Sequence, residues 1–107
     1  MISFEEFKQL DLQVGTIEDV QEHPNADKLV KLSADIGEQD PVQLVAGVKG
    51  YYEDDELIGK QIVILTNMEP ATIRGERSEG MLLAATTSDD VALIGPDQEV
   101  PPGTDIE

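Results

Sequence analysis

The stretch Leu12-Gln13-Val14-Gly15-Thr16-Ile17-Glu18-Asp19-Val20 decides the fold. Apolar side chains occupy every second position up to Val14, and the apolar positions resume at Ile17 and Val20. Alternation with a period of two is typical of a half-buried strand. Because the alternation shifts by one residue at Gly15, we expect a β-bulge or a strong bend there. The pattern therefore predicts one long, bent strand early in the chain.

Shorter runs of the same kind follow this strand and are separated by turn-forming residues. Pro24 and Asn25 predict a turn, since proline cannot donate to a strand ladder and asparagine favours turns. The Ser3-x-x-Glu6 spacing is a capping box at the start of a short helix. Strands are predicted at 30–36, 42–46, 61–65, 81–85 and 91–94, helices at 2–10 and 53–58, a loop at 66–80 and an irregular tail at 96–107.

This order of elements favours an all-β class. One long bent strand, several short strands and little helix are typical of a small barrel. We predict an OB-fold, a five-stranded Greek-key barrel with a short N-terminal helix and an irregular C-terminal extension. The barrel and its extension form a single domain over residues 1–107.

Composition excludes several classes of protein. The 107 residues include no cysteine and one histidine, His23, which excludes disulfides and a multi-histidine metal centre within the chain. No apolar run approaches the roughly 18 residues of a membrane span, and no basic segment precedes an apolar one at the start. We expect a soluble cytoplasmic protein with no membrane partner. Since the sequence contains no motif that combines a nucleophile, a base and an orienting group, we also expect no enzyme activity, no metal and no cofactor.

The net charge of −16, from 23 acidic and 7 basic residues, needs an explanation of its own. An acidic tail does not fit, because the acids are spread along the whole chain. A nucleic-acid mimic or cation buffer remains open, although no calcium-loop spacing occurs. Adaptation to the salt-rich cytoplasm of a halophile fits best, because at about 1 M salt the screening length is about 3 Å and dispersed acids barely repel each other.

The few basic residues are unevenly placed. Six of the seven lie between residues 28 and 77, and they are Lys28, Lys31, Lys49, Lys60, Arg74 and Arg77. They either neutralise nearby acids or form a small cationic patch. Patches of the second kind hold phosphates while other groups read shape.

An ordered set of motifs resembles a known family. The motifs are His-Pro-Asn-Ala-Asp-Lys-Leu at 23–29, Ala-Asp-Ile-Gly at 34–37, Val-Ala-Gly at 45–47, Leu-Ile-Gly-Lys at 57–60, Asn-Met-Glu-Pro-Ala at 67–71, Ile-Arg-Gly at 73–75 and Ser-Glu-Gly-Met-Leu-Leu-Ala at 78–84. In that order they resemble the tRNA-binding domain appended to many methionyl-tRNA synthetases. Similar domains occur in phenylalanyl-tRNA synthetase beta chains and in free-standing bacterial and archaeal tRNA-binding proteins. The resemblance covers roughly residues 3–106.

The resemblance implies a non-catalytic module that recognises the shape of tRNA. It acts in trans with an aminoacyl-tRNA synthetase, methionyl-tRNA synthetase above all. The free-standing members are homodimers, which implies a dimer contact over about residues 85–107, where the apolar residues include Val91, Leu93, Ile94 and Val100. Two alternatives stay open: a dimeric chaperone or secretion-linked protein of the same fold, and a protein-interaction module.

The resemblance also suggests which residues face tRNA. The matching positions are Asn25, Lys28, Arg74, Ser78, Glu79 and Met81. Charge alone adds Lys31, Lys49, Lys60 and Arg77. Glu69 and Thr72 stand where many members of the family carry lysine, so the usual basic surface is reduced here. Asn25 and Met81 also have structural readings, as a turn former and as a core residue.

Overall fold

The computed structural model describes residues Met1–Glu107 and contains nine strands and two one-turn helices. The strands are β1 (Leu12–Glu22), β2 (Val30–Asp35), β3 (Val42–Ala46), β4 (Gln61–Leu65), β5 (Ala71–Ile73), β6 (Glu76–Ser78), β7 (Met81–Leu82), β8 (Ala84–Thr86) and β9 (Val91–Leu93). The helices are α1 (Phe4–Phe7) and α2 (Asp54–Leu57). None of the helices is long and apolar enough to cross a membrane.

Five strands form the main sheet in the order β3-β2-β1-β4-β7, with every neighbouring pair antiparallel. The two edge strands, β3 and β7, approach each other, and the backbone N–H of Glu79 donates to the carbonyl of Gln43 at 2.8 Å. The sheet therefore curls into a nearly closed five-stranded barrel. This confirms the predicted OB-like, all-β fold.

The first strand bends as predicted, although not at the predicted residue. Residues 12–16 of β1 pair with β4, and residues 16–22 pair with β2. The irregular step lies between Ile17 and Asp19, whereas Gly15 stays in register opposite Ile62. Gly15 is needed for packing, because a Cβ there would collide with the Ile64 side chain. The prediction of a bulge at Gly15 is therefore wrong. The glycine interrupts the apolar alternation because the core leaves no room for a side chain at this position.

The core fills the barrel with aliphatic side chains. The alternate residues Leu32, Leu44, Ile62 and Ile64 point inward from three strands and are at most 1% exposed. Leu57 of α2 is also fully buried, so this short helix packs its one apolar residue into the core. The helix begins with three acidic residues in its first turn, where the positive end of the helix dipole favours them.

Several element boundaries differ from the sequence-based prediction. The capping box of Ser3 and Glu6 forms, but α1 ends at Phe7. The run 81–85 divides into β7 and β8, and the predicted loop 66–80 contains the hairpin of β5 and β6. The tail forms no regular strand, yet its carbonyls and amides at Gly103, Thr104 and Ile106 bond to β1. The tail thus covers the half of β1 that does not pair with β2.

Candidate nucleic-acid interface

Two chain segments carry half of the predicted site residues. The first loop, residues 23–29, connects β1 to β2 and contains Asn25 and Lys28. The hairpin, residues 71–78, lies between β4 and β7 and contains Arg74, Arg77 and Ser78. These segments correspond to the loops after the first and fourth barrel strands, where OB-folds bind oligonucleotides. The structure joins the two segments directly.

Two side chains of the first loop hold the tip of the hairpin. The His23 ring is 6% exposed, and its Nε2 donates to the backbone carbonyl of Ile73 at 2.9 Å. Its Nδ1 accepts the backbone N–H of Asn25 at 3.0 Å. The Asn25 amide Nδ2 then donates to the carbonyl of Arg74 at 3.1 Å. Asn25 therefore fixes the hairpin rather than standing free in solvent.

The hairpin turn has an unusual backbone at Arg74. Arg74 and Gly75 form the two-residue connection, with φ angles of 54° and 90°. Positive φ at both positions is the signature of a type I′ turn, which usually takes Asn, Asp or Gly at the first position. Arg74 adopts this sterically disfavoured conformation, and the bond from Asn25 to its carbonyl stabilises it. Its side chain is exposed and lies in no ion pair.

Residues of β2 and β3 hold the second strand of the hairpin. The Lys31 ammonium donates to Oε1 of Glu76 at 2.8 Å, and both side chains are about four-fifths buried. This bond lowers the pKa of the Glu76 carboxyl below its ordinary value. The Gln43 side-chain amide donates to the carbonyl of Arg77 at 2.7 Å. Lys31 is thus committed to the hairpin and not to a ligand.

Ser78 and Glu79 close the barrel. The Ser78 hydroxyl is buried, accepts the backbone N–H of Val45 at 3.1 Å and donates to the carbonyl of Gly80 at 3.0 Å. Oε1 of Glu79 accepts the backbone N–H of Gln43 at 2.8 Å. These side chains supply partners that a regular strand would give to the edge of β3. The Arg77 Nε lies 3.9 Å from Oε2 of Glu79, which is at the outer limit of an ion pair.

Lys49 and Lys60 lie apart from the hairpin. Lys49 follows β3 and donates to Oε1 of Glu22 at 2.7 Å. This bond raises the pKa of Lys49 and lowers that of Glu22. The Lys60 ammonium lies 5.5 Å from the centre of the Tyr52 ring, a cation–π contact. Both cations, proposed from charge alone, are therefore engaged within the protein.

Lys28 and Arg74 differ from the other predicted cations. Both are exposed, and neither lies in an ion pair or a cation–π contact. They sit on the two segments that His23 and Asn25 join. Met81 is 43% exposed and lines a groove of about 240 Å³ with Val45 and Val91, so it serves neither purely as core nor purely as surface. The residues that can contact a ligand narrow to Lys28, Arg74, Arg77 and Met81.

Sequence reasoning missed the residues that assemble the site. It gave His23 no role in the site, yet the ring reaches Ile73, 50 positions away. It did not single out Gln43 or Glu76 at all. The one available indication was a histidine directly before a Pro-Asn turn, because a lone buried imidazole must satisfy two nitrogens.

Comparison with known proteins relates the chain to a family and to two kinds of relative. Residues 12–105 match the family model described as "Putative tRNA binding domain". The methionine–tRNA ligase of Thermococcus onnurineus is 51% identical over 105 residues, which are 98% of this chain and 14% of the ligase. The chain therefore spans about one seventh of the length of such curated relatives.

Two solved structures match over nearly their whole length. A MetRS-related protein from Pyrococcus horikoshii has a TM-score of 0.90 and 30% identity, covering 100% of this chain and 98% of that one. The chaperone CsaA from Bacillus anthracis has a TM-score of 0.89 and 36% identity, covering 100% and 99%. Both similarities extend over the barrel, the first loop and the hairpin.

Proposed function

The chain belongs to the tRNA-binding domain family, and from this premise we propose that it binds tRNA through the first loop and the hairpin. It is homologous to a domain of methionine–tRNA ligases and to a MetRS-related protein of its own size. The tRNA-binding domain is a non-catalytic RNA-binding module, and this chain acts as one without enzyme activity. One observation carries the proposal. The two exposed, unpaired cations Lys28 and Arg74 lie on segments that side-chain hydrogen bonds hold together.

The mode of binding follows from this arrangement. A few cations on a rigid frame contact phosphates at fixed positions, and such contacts recognise the path of the backbone rather than the sequence of bases. The protein recognises tRNA by shape and acts in trans with an aminoacyl-tRNA synthetase in the cytoplasm. Methionyl-tRNA synthetase is the favoured partner, because the ligase domain is 51% identical. Binding both tRNA and synthetase raises the local concentration of substrate.

The test of this function uses single cation variants. Arg74→Ala and Lys28→Ala should each weaken binding of total tRNA by about fivefold or more, since a lost charge-assisted bond is worth roughly 1 kcal/mol or more. Lys8→Ala is the matched control, because Lys8 lies beside α1 with its ammonium 5.4 Å from the Phe4 ring. Fluorescence anisotropy with labelled tRNA measures all three. Equal losses in the three variants would show a diffuse charge effect and would refute a localised site.

We propose that the homodimer forms through an apolar groove on the surface. The groove has a volume of about 380 Å³ and lies between α1 and the end of the tail, with Phe4, Leu10 and Ile106 among its lining residues. The Phe4 side chain is 71% exposed. Of the residues expected at the contact, Val91 and Leu93 pack against the core instead, while Ile94 is 41% exposed. We therefore propose that the second copy covers this groove.

Light scattering at high salt tests this contact. The wild type should give twice the monomer mass at micromolar concentration, and Phe4→Glu should give the monomer mass. Ile94→Glu is the matched control, since it places the same charge at an exposed apolar residue outside the groove, in the C-terminal third of the chain. A monomeric wild type, or a dimer lost only with Ile94→Glu, would overturn the assignment.

A chaperone function is the second candidate, and one comparison favours it. The chaperone CsaA from Bacillus anthracis is 36% identical to this chain, whereas the MetRS-related protein is 30% identical. Suppression of aggregation of an unfolding test protein measures this activity. A chaperone should act equally well in the Arg74→Ala variant, whereas the tRNA binding of that variant should weaken about fivefold or more. The two functions are therefore separable in one pair of proteins.

A further inference from the structure

The bonds of His23 require the uncharged ring. Nδ1 accepts the N–H of Asn25, so this nitrogen carries no proton. Nε2 faces the carbonyl of Ile73, so this nitrogen carries the proton and donates it. A protonated imidazole is a donor at both nitrogens and has no lone pair for Asn25. The observed arrangement therefore belongs to one charge state of His23.

His23 also lies at the junction where side chains of the first loop bond to backbone carbonyls at the tip of the hairpin. Its ring bonds to Ile73, and the residue whose amide it accepts, Asn25, bonds to the next carbonyl, at Arg74. Loss of the hydrogen bond from the backbone N–H of Asn25 to His23 thus loosens the side chain that supports Arg74, whose φ of 54° is disfavoured. Lys28 and Arg74 would then no longer keep a fixed separation.

We propose that uncharged His23 is a positioning residue for RNA binding: its Nδ1 holds the backbone of Asn25, whose side chain bonds to the hairpin, so that protonation of Nδ1 breaks this hold and weakens binding of tRNA. The proposal rests on the proposed function, since it concerns the same surface. Because the observed bonds fit only the uncharged ring, tRNA binding is compared at neutral and at mildly acidic pH.

The charged groups around His23 make the sign of the effect informative. The hairpin that the ring contacts carries Glu76 and Arg74, the neighbouring strand β2 carries Lys31, and the segment around His23 carries Glu22, Asp27 and Lys28. Lys31 already bonds to Glu76. A proton on His23 adds positive charge beside these groups, and added positive charge by itself favours binding of a polyanion. A fall in affinity on acidification therefore has a positional cause and not an electrostatic one.

The experiment compares tRNA affinity at about pH 7.5 and pH 5.5 in one fixed concentration of potassium chloride. Ordinary carboxyl groups, with pKa values near 4, remain ionised at both. We expect the wild type to lose about fivefold on acidification, the change that one ordinary hydrogen bond produces in an equilibrium. His23→Gln keeps a donor for Ile73 and does not titrate, so its affinity should change less than twofold. Circular dichroism at both pH values confirms that the proteins stay folded.

Each outcome decides the matter. A wild type that binds equally well or more tightly at pH 5.5 would overturn the positioning role of His23, and so would an equal fall in His23→Gln. No binding at pH 7.5 would refute the proposed function itself. Amide hydrogen exchange of Asn25 in the free wild type then still tests the coupling, since its protection should fall at pH 5.5. Unchanged protection would overturn the coupling without reference to RNA.

Discussion

The closure of the barrel by Ser78 gives the sharpest quantitative prediction. Ser78→Ala removes the hydroxyl that accepts the N–H of Val45 and donates to the carbonyl of Gly80. Both groups lie where β3 meets β7, and the hydroxyl itself is buried. Leaving a buried donor unpaired costs about 1–3 kcal/mol. Taking about 2 kcal/mol, the thermal midpoint of a domain of this size should fall by roughly 8–16 °C.

The assay is a thermal melt followed by a binding isotherm below the lower midpoint. Ser33→Ala is the matched control, because Ser33 is a half-buried serine of β2 whose hydroxyl makes no hydrogen bond within the protein. Its midpoint should stay within about 2 °C of the wild type, as for most substitutions away from such networks. The folded Ser78→Ala protein should keep its tRNA affinity within about twofold. An unchanged midpoint together with a clear loss of affinity would refute the reasoning, since Ser78 would then contact RNA.

Three further predictions concern packing, acid and salt. Gly15→Ala should lower the free energy of unfolding by about 1–3 kcal/mol, because its Cβ would collide with Ile64. Gly47→Ala is the control and should lower it less, since its Cβ would lie 3.8 Å from Leu29. Equal urea midpoints for the two variants would contradict this prediction. The lowered pKa of Glu76 means that its ion pair stabilises the fold above the ordinary value of 4.5 and is lost as the pH falls through the folded value. Lys31→Met should therefore destabilise the protein at about pH 7, and its difference from the wild type in urea midpoint should shrink towards pH 3. The difference between Lys8→Met and the wild type should not shrink in this way, because Lys8 makes no ion pair with Glu76. If the acidity is an adaptation to a salt-rich cytoplasm, tRNA affinity and thermal midpoint at about 1–2 M potassium chloride should equal or exceed those at about 0.1 M; a steep fall in affinity of a protein that stays folded would exclude it.

Much of the fold could be predicted from the sequence. The apolar residues of β1 to β3 alternate and those of β4 form one continuous buried run, so the bounds of these four strands are within two residues of the prediction. The hairpin strands β5 and β6 have three residues each and little burial, so they carry no period. Their turn begins with Arg74 instead of the usual Asn, Asp or Gly, which removes the common hairpin signature. Side chains from distant strands hold the hairpin in place, and such contacts are not local in sequence.

The composition of the site was less predictable than its location. The motifs identified the first loop and the hairpin, but charge alone could not tell free cations from paired ones. The ion pair of Lys31 and Glu76 joins residues 45 positions apart, and that of Glu22 and Lys49 joins residues 27 positions apart. With 23 acidic residues available, the partner of each cation depends on which strands meet across the barrel. Only the register of the strands determines that.

The pairing of the cations gives the acid excess a consequence for specificity. Lys31 and Lys49 are bonded to carboxylates, and Lys60 lies against Tyr52, so these three contribute little attraction at a distance. A polyanion that approaches elsewhere meets net repulsion from the surrounding acids. Lys28 and Arg74 remain available, and the hydrogen bonds of His23 and Asn25 to the hairpin hold together the two segments that carry them. Under the proposed function, an RNA binds only where its phosphates match that separation, so the acids reject other polyanions and shape recognition needs very few basic residues.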